Sequence, residues 1–337
     1  MPQRVCILAT PDSMASPISG LFEALRSVGE LTAPEDRVEG DEQPFVVEVV
    51  GERAGVLESA SGLEVHVHRA VAEVDDADIV IIPSMAFGTE EEWIRGRYPT
   101  VVRWLSDMHG GGATICAACT GTNLAAETGL LDGCEATVHW ASVTDFRRRH
   151  PEVRLRPADA LVIAGDGGRL VTSGASSAWH DLALYLIARD VGPSTAQAVA
   201  RFLLWQWHQD GQAPFQVFAP PTDHGDAAIL AAQRGIAERF SVASPVDEMV
   251  GWSGLPARTF ARRFKAATGH TPIDYVQRIR IEQAKRMLET STKPVDEISW
   301  GVGYEDPASF RRLFKRLTGM APRDYRQRFT LPDTVAR

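Results

Sequence analysis

Residues 260–278, FARRFKAATGHTPIDYVQR, recur fifty positions later as residues 310–328, FRRLFKRLTGMAPRDYRQR, with 11 of the 19 aligned residues identical. In each copy two Phe residues stand four positions apart, which places both rings on one face of a helix. Thr-Gly then predicts the end of that helix, and the Pro three residues after the Gly predicts the start of the next one. The two copies are therefore versions of one helical unit.

A short amphipathic segment precedes each copy. These segments are residues 246–252 and 295–301, and a Gly-containing turn follows each of them. Two helices joined by such a turn predict a helix-turn-helix unit. A joining helix from Ile273 to about Leu288 would separate the two units by roughly 24 Å. Two recognition helices held on one side can enter successive major grooves of DNA.

The sequences RTFARRFKAATGHTP and PVDEISWGVGYEDPASFRRLFKRLTGMAPRDYR resemble the paired helix-turn-helix domain of AraC-type transcription regulators, over about residues 226–329. The resemblance implies a double-stranded DNA operator as a partner, and RNA polymerase as a second partner if the protein activates. Pro256 stands where the family has Ser, so the first recognition helix lacks a side-chain cap, whereas Asp306 can cap the second. A helical bundle with a solvated basic side is the alternative interpretation.

The helix faces opposite the Phe pairs carry the predicted DNA contacts. By position in the resemblance, the base readers are Arg258, Arg262, Ala308 and Arg312. Ser309 and Arg311 lie on the same face of the second helix. Four further basic residues are predicted to neutralise phosphates, which adds affinity without sequence choice: Arg263, Lys265, Lys315 and Arg316. Arginine bonds bidentately to guanine. Because the first copy has two arginine base readers and the second has only Arg312, we expect the first copy to do more of the base reading.

Charge divides the 337 residues in the same way. Residues 1–225 carry 16 Arg, no Lys and 31 acidic residues, a net charge of -15, whereas residues 226–337 carry 19 basic and 13 acidic residues, a net charge of +6. This division fits a phosphate-binding module joined to one that does not meet phosphates. Together with Pro214, Pro220 and Pro221 it predicts a first domain over 1–212, a linker over 213–225 and a DNA-binding domain over 226–330.

Several classes of protein and site are disfavoured. No apolar run reaches the length of a membrane span, and the start MPQRVCILATPD lacks a signal peptide pattern, which predicts a cytoplasmic protein without a membrane partner. Four unevenly spaced Cys predict no disulfide framework. Cys116 and Cys119 lack a second ligand pair at metal spacing, so no metal or other cofactor is expected.

The first domain shows short apolar runs that alternate with helical patterns. The runs are residues 4–10, 45–50, 79–83 and 113–117, and a later hairpin joins 161–164 to 170–173. Continuous apolar strands alternating with helices predict a largely parallel sheet flanked by helices. The predicted fold class is therefore an α/β domain followed by an all-α domain with two helix-turn-helix units.

Residues 110–133, GGGATICAACTGTNLAAETGLLDG, predict a strand that turns sharply into a helix with Cys119 at the bend. Such an elbow exposes a side chain at the carboxyl end of the strand, where α/β sheets form binding crevices. The helix N-terminus favours a thiolate. Three roles stay open for Cys119: a small residue in a tight turn, a ligand-pocket residue and a nucleophile.

With His139-Trp140 and TSGASSAWHDLALYLI, the elbow resembles the PfpI-type, class I glutamine amidotransferase-like superfamily, and residues 4–208 resemble the sensor domain of GlxA-like AraC-type regulators. The resemblance matches Cys119 to the elbow cysteine and His139 to its companion histidine, although His139 could equally be a structural residue beside Trp140. It implies a homodimer and a small-molecule effector beside Cys119, within reach of Ser16, Ser84 and Thr120.

Enzymes of this superfamily place a carboxylate after the first strand, against the elbow cysteine. Here that loop reads PDSMASPIS, the matching position falls near Ser16 or Pro17, and Asp12 and Glu23 are displaced in register. A nucleophilic thiolate usually needs a placed base and an orienting group. We therefore predict a transcription regulator with no catalytic residues. A cysteine-dependent hydrolase or hydratase fused to a DNA-binding domain, and a ligand-independent dimerisation platform, are the alternatives.

Overall fold

The structure, a computed structural model, describes residues 1–31, 43–86 and 93–331. The chain divides into two compact units, Met1–Gln212 and Ala213–Arg337. Each unit has its own hydrophobic clusters.

A mostly parallel sheet forms the centre of the first unit. Its strand order is β10-β11-β7-β6-β1-β2-β5, and the pairing is parallel except between β10 and β11. A hairpin pairs β3 with β4, and a short parallel ladder pairs β8 with β9. The strands are β1 (Gln3–Leu8), β2 (Phe45–Gly51), β3 (Gly55–Glu58), β4 (Glu64–Val67), β5 (Arg69–Ala70), β6 (Ile79–Ile82), β7 (Thr114–Ala118), β8 (Glu135–Ala136), β9 (Arg154–Leu155), β10 (Leu161–Ala164) and β11 (Leu170–Ser173).

Helices cover both faces of this sheet, so its strands alternate between two cores. Ile79 and Ile81 of β6 face one cluster, and Val80 and Ile82 face the other. Burial on both faces explains why these strands read as unbroken apolar runs. The helices are α1 (Ala15–Arg26), α2 (Val28–Leu31), α3 (Pro99–Gly110), α4 (Thr122–Glu127), α5 (Val143–Arg149), α6 (Trp179–Asp190) and α7 (Pro193–Phe202). The predicted α/β class is confirmed.

The second unit is helical and built from two helix-turn-helix units, as the repeat predicts. Phe260, Phe264, Phe310 and Phe314 are all fully buried, one pair in each core. Gly269 and its counterpart in the second copy end the recognition helices in the left-handed conformation. The helices are α8 (Ala227–Glu238), α9 (Pro245–Ser253), α10 (Ala257–Thr268), α11 (Pro272–Thr290), α12 (Val295–Gly301), α13 (Pro307–Thr318) and α14 (Pro322–Phe329).

The joining helix α11 is longer than the sequence pattern indicates. Its 19 residues span about 28 Å, compared with the roughly 24 Å expected. Thr271 caps its first turn by accepting a hydrogen bond from the amide of Asp274, and Pro272 occupies the first turn. None of the described helices has the length and apolar character that crossing a bilayer requires.

Residues 213–225, for which we predicted a linker, fall within the second unit and pack against its helices. The ring of Phe215 packs edge-on against Phe329, and the ring of Phe218 packs against Tyr275. Between them the carbonyl of Gln216 accepts a 2.5 Å hydrogen bond from the Lys285 ammonium. The segment therefore contacts both helix-turn-helix units as well as the joining helix.

Candidate functional site

The elbow after β7 holds Cys119 in a strained backbone conformation. Its φ of 58° lies in the left-handed region, which is uncommon for a residue with a side chain. Gly121 supports the turn because a Cβ there would lie 2.3 Å from the carbonyl oxygen of Pro83 at the end of β6. The close approach of the two strand ends thus fixes Cys119 at the carboxyl edge of the sheet, beside Ser84.

The Cys119 thiol is buried among hydroxyl groups. The side chain is 3% exposed, and the hydroxyls of Ser84, Thr120 and Ser176 face the sulfur. Burial raises the pKa of the Cys119 thiol, and the nearby hydroxyls, which lower it, do not offset that effect. The thiol is therefore protonated at neutral pH. Our expectation that the helix N-terminus would favour a thiolate is corrected, since desolvation outweighs it.

Two buried hydroxyls beside the elbow form no hydrogen bond to an oxygen or nitrogen atom among the described residues. They belong to Ser84 and Ser173, which are 5% and 0% exposed. Ser173 is paired with Ala118 in the β-ladder and so lies next to the elbow. An unsatisfied buried hydroxyl costs about 1–3 kcal/mol. A ligand that bonds these groups would recover part of that cost.

The residues predicted to line the ligand site lie in different surroundings, and only some of them are beside Cys119. Thr120 bridges the strand ends, because its hydroxyl donates to the carbonyl of Met85 at 2.5 Å and accepts from the Met85 amide at 2.9 Å. Ser84 lies beside Cys119, as expected. Ser16 is exposed in the first turn of α1, and no described hydrogen bond connects it to the elbow.

His139 acts as a helix cap in this structure. Its Nδ1 accepts a hydrogen bond from the amide of Ala141 at 3.1 Å, and its ring packs on Trp140. Burial lowers the pKa of His139, which favours the neutral imidazole. Among the described contacts no hydrogen bond links His139 to Cys119, and their pairing in one ligand site stays a prediction.

The carboxylate that follows the first strand is engaged elsewhere. Asp12 accepts a 2.6 Å hydrogen bond from the Tyr98 hydroxyl and pairs with Arg97 at 3.0 Å. Burial, followed by the hydrogen bond to Asp12, raises the pKa of Tyr98 to about 12. Glu23 is exposed on α1. Among the described residues no group of three His, Cys, Asp or Glu side chains is arranged to hold a metal ion.

Sequence reasoning missed Ser176, Ser173 and Gln212. The buried Gln212 amide donates to the Thr137 hydroxyl at 2.9 Å and to the carbonyl of Val138 at 3.0 Å. Its Oε1 accepts from the amide of Ala175, next to Ser176. Ser173 and Ser176 stood in the quoted segment TSGASSAWHDLALYLI, which was a usable signal. Nothing in the local sequence marks Gln212.

The predicted DNA-contacting residues of the second recognition helix are linked to acidic groups. Asp306 caps α13 by accepting from the amides of Ala308 and Ser309. The Ser309 hydroxyl also donates to Asp306 at 2.6 Å and accepts from Arg312 at 2.7 Å. Arg311 pairs with Asp296. Every guanidinium on this face therefore has a described polar neighbour.

The first recognition helix presents its basic residues differently. Arg258, Arg262 and Lys265 are exposed and have no ion-pair partner among the described residues, and the same holds for Lys315 on α13. Two predicted phosphate contacts are engaged: Arg263 pairs with Asp226, and Arg316 reaches Gln277 at 3.4 Å. As expected, Pro256 gives α10 no side-chain cap.

Comparisons with known proteins match both halves of the chain. A model of the DJ-1/PfpI family matches residues 4–189, and a helix-turn-helix domain model matches residues 253–328. The HTH-type transcriptional regulator CdhR of Pseudomonas aeruginosa is 26% identical over 276 residues, 78% of this chain and 76% of that protein. GlxA of Rhizobium meliloti is 28% identical over 262 residues, 76% of this chain and 77% of that protein. The resemblance to GlxA-like regulators is confirmed.

Solved structures share the fold of the first unit. A putative transcriptional regulator protein from Vibrio parahaemolyticus is 23% identical with a TM-score of 0.50, over 60% of this chain and all of that one. Drosophila melanogaster DJ-1beta is 19% identical with a TM-score of 0.50, over 61% of this chain and all of that one. Because the family match covers more than half of the 337 residues, this chain, with its helix-turn-helix domain, belongs to the DJ-1/PfpI family.

Proposed function

We propose that this chain, a DNA-binding transcription regulator, binds a small effector beside Cys119 and converts that binding into a change of affinity for a specific operator in the cytoplasm. The observation that carries the proposal is the presence, in one chain, of a strained elbow with unpaired buried hydroxyls and of a paired helix-turn-helix unit. The first feature suits a ligand, and the second suits two successive major grooves.

The two recognition helices are proposed to divide the work of DNA recognition. Arg258 and Arg262 project from α10 without a described carboxylate partner, so both guanidiniums can reach base edges. A bidentate bond from arginine to guanine contributes about 1–3 kcal/mol of discrimination. Arg312 reaches Ser309 and lies 3.9 Å from Asp306, which reduces its availability for bases. We therefore assign base reading mainly to α10, and phosphate anchoring by Lys315 to α13.

The effector site that we propose beside Cys119 suits a small polar molecule. Its described lining offers a neutral thiol and the hydroxyls of Ser84, Thr120 and Ser176. A bound effector changes operator affinity only if it favours one arrangement of the DNA-binding units over another. We propose that the regulator works as a homodimer, which binds operator DNA and, where it activates, RNA polymerase.

An enzyme that carries a DNA-binding domain is the second candidate, because a cysteine at a strained strand-to-helix elbow suits a nucleophile. Three observations weigh against it. The thiol pKa is raised, the Nδ1 of His139 is used as a cap, and the Asp12 carboxylate is engaged by Tyr98 and Arg97. Turnover that disappears in Cys119→Ala and survives in Cys134→Ala would establish this candidate instead.

The decisive experiment selects duplexes from a random DNA library with the full chain and then measures affinity for the selected duplex across a panel of metabolites. Any metabolite that binds the folded state alone should stabilise it by about 2.7 kcal/mol at 100 times its dissociation constant. Ser84→Ala should weaken that stabilisation, and Cys134→Ser should leave it unchanged. Operator affinity that is identical at every concentration of every metabolite would remove the sensing proposal while leaving DNA binding intact.

A further inference from the structure

Arg280 occupies the point on α11 where the helix passes from one helix-turn-helix core to the other. Ile279 packs in the core that contains Phe264, and Ile281 packs in the core that contains Phe314. Arg280 itself is 8% exposed. A cation therefore lies at the junction of two apolar clusters, where a buried apolar side chain would have a smaller desolvation cost.

The Arg280 guanidinium binds three backbone carbonyls. Its Nε donates to the carbonyl of Phe240 at 2.8 Å and its Nη2 to that of Val242 at 2.8 Å. Its Nη1 donates to the carbonyl of Gly303 at 2.9 Å. Phe240 and Val242 lie between α8 and α9, beside the first helix-turn-helix unit, and Gly303 lies in the turn of the second helix-turn-helix unit. One planar group thus connects the two helix-turn-helix units.

The surroundings of this guanidinium are built to a close fit. The Tyr304 ring lies 5.3 Å from it, and the Phe240 side chain packs against both hydrophobic clusters. A Cβ on Gly303 would lie 2.9 Å from Arg280 Cζ and 2.8 Å from the carbonyl oxygen of Ser241, and the Gly303 φ of 90° suits glycine. Among the described residues no carboxylate forms an ion pair with Arg280. The three carbonyls, together with the Tyr304 ring, therefore compensate the buried charge.

The geometry of the guanidinium explains why a costly buried charge is useful here. Its five donors lie in one rigid plane, so the three carbonyls can occupy only a narrow set of positions. A buried apolar side chain would fill the space without specifying those positions. In some proteins a buried polar group fixes the registry of the elements around it at a cost in stability.

We infer that Arg280 is a positioning residue that fixes α10 relative to α13, and with it the number of base pairs that the regulator accepts between its two sub-sites. The inference rests on the proposed DNA-reading function. One inserted base pair moves the second sub-site by about 3.4 Å along the duplex and turns it by roughly 35°. A rigid pair of recognition helices discriminates against that displacement, whereas a loosened pair follows it.

The test uses the full chain and the duplex that it selects from a random library, together with versions of that duplex that carry one base pair more or one fewer between the sub-sites. The wild-type protein should bind the altered duplexes about tenfold or more weakly, the size of a one-base-pair mismatch. In Arg280→Met this spacing penalty should fall below about threefold. Arg280→Lys, which keeps the charge without the planar fork, should give an intermediate penalty and provides a second test if Arg280→Met does not fold.

Arg286→Met is the matched control, because Arg286 is an exposed residue on the same helix. Arg286→Met should change the affinity for all three duplex spacings by the same factor and keep the wild-type spacing penalty. If both Arg280 variants fold and show the same spacing penalty as the wild-type protein, the inference is overturned. The proposed DNA binding is unaffected by that result. If the wild-type chain selects no duplex at all, the proposed DNA reading itself is wrong, and the two failures are thereby distinguished.

Discussion

Asp226 holds Arg263 by two hydrogen bonds, from Nε to Oδ2 at 2.9 Å and from Nη2 to Oδ1 at 2.7 Å. The same carboxylate caps α8 by accepting from the amide of Ile229. The residue that begins the second unit's first helix is thereby fastened to the first recognition helix. The phosphate contact proposed for Arg263 would have to compete with this pair.

Asp226→Ala should lower the thermal stability of the second unit, since it removes both a cap and an ion pair. The hydrogen bond from Arg263 is the main cause that lowers the pKa of Asp226. A depressed pKa in the folded state means that the stabilisation is present above the ordinary pKa of about 3.9 and is lost as pH falls through the folded value. The difference in melting temperature between wild type and variant should therefore shrink as pH falls from about 4 through the lower folded-state pKa of Asp226. Asp223→Ala, at an exposed site, is the control, and an equal loss there would contradict the assignment.

Replacing Arg258 or Arg262 with Ala should relax base preference at one position of the selected duplex, at a cost of about 1–3 kcal/mol. Lys315→Ala should instead weaken all sequences alike and reduce the salt slope by about one unit. Fluorescence anisotropy on a panel of single-base variants at several salt concentrations measures both effects. If the arginine and lysine variants behave alike, the separation of base readers from phosphate contacts is wrong.

The Cys119 thiol should react slowly with iodoacetamide at neutral pH. Burial raises its pKa above the ordinary 9.0, so the thiolate population should rise only as the solution becomes more alkaline than that. Mass spectrometry of alkylated peptides gives the rate at each pH, and the more accessible Cys134 serves as the internal reference. Alkylation of Cys119 that is fast and already complete below pH 8 would show that the thiol is activated.

Phe218→Ala should destabilise the second unit by about 2 kcal/mol, because a partly buried ring loses less than the 3–5 kcal/mol typical of fully buried aromatic residues. Hydrogen exchange of peptides from α11, followed in the full chain over a denaturant series, gives the change in the free energy of unfolding of that unit. The neighbouring Val217 is 53% exposed, so Val217→Ala should have little effect. Equal stability of wild type and Phe218→Ala would mean that the segment 213–225 is only a tether.

The helical unit was predictable in more detail than the candidate ligand site. Phe residues four apart, a Gly stop and a Pro start are local signals, and local backbone preferences are enough to specify them. The elbow was predictable as well, since small residues follow an apolar strand in the sequence. The neighbours of Cys119 were only partly predictable. Ser84 and Thr120 were expected beside it, whereas Ser173 and Ser176, at the end of β11 and just after it, reach the elbow only when the sheet forms.

By itself, therefore, the sequence determined two helix-turn-helix units, a mostly parallel sheet and a cysteine at its edge, since each depends on residues close together in the chain. The tertiary structure alone decided the protonation of Cys119, because a pKa depends on burial from all sides. It also decided the three hydrogen bonds from the Arg280 guanidinium to backbone carbonyls, which lie 40, 38 and 23 residues away in the sequence. Contacts at such separations leave no periodic signal in a sequence, because chain folding rather than spacing brings them together.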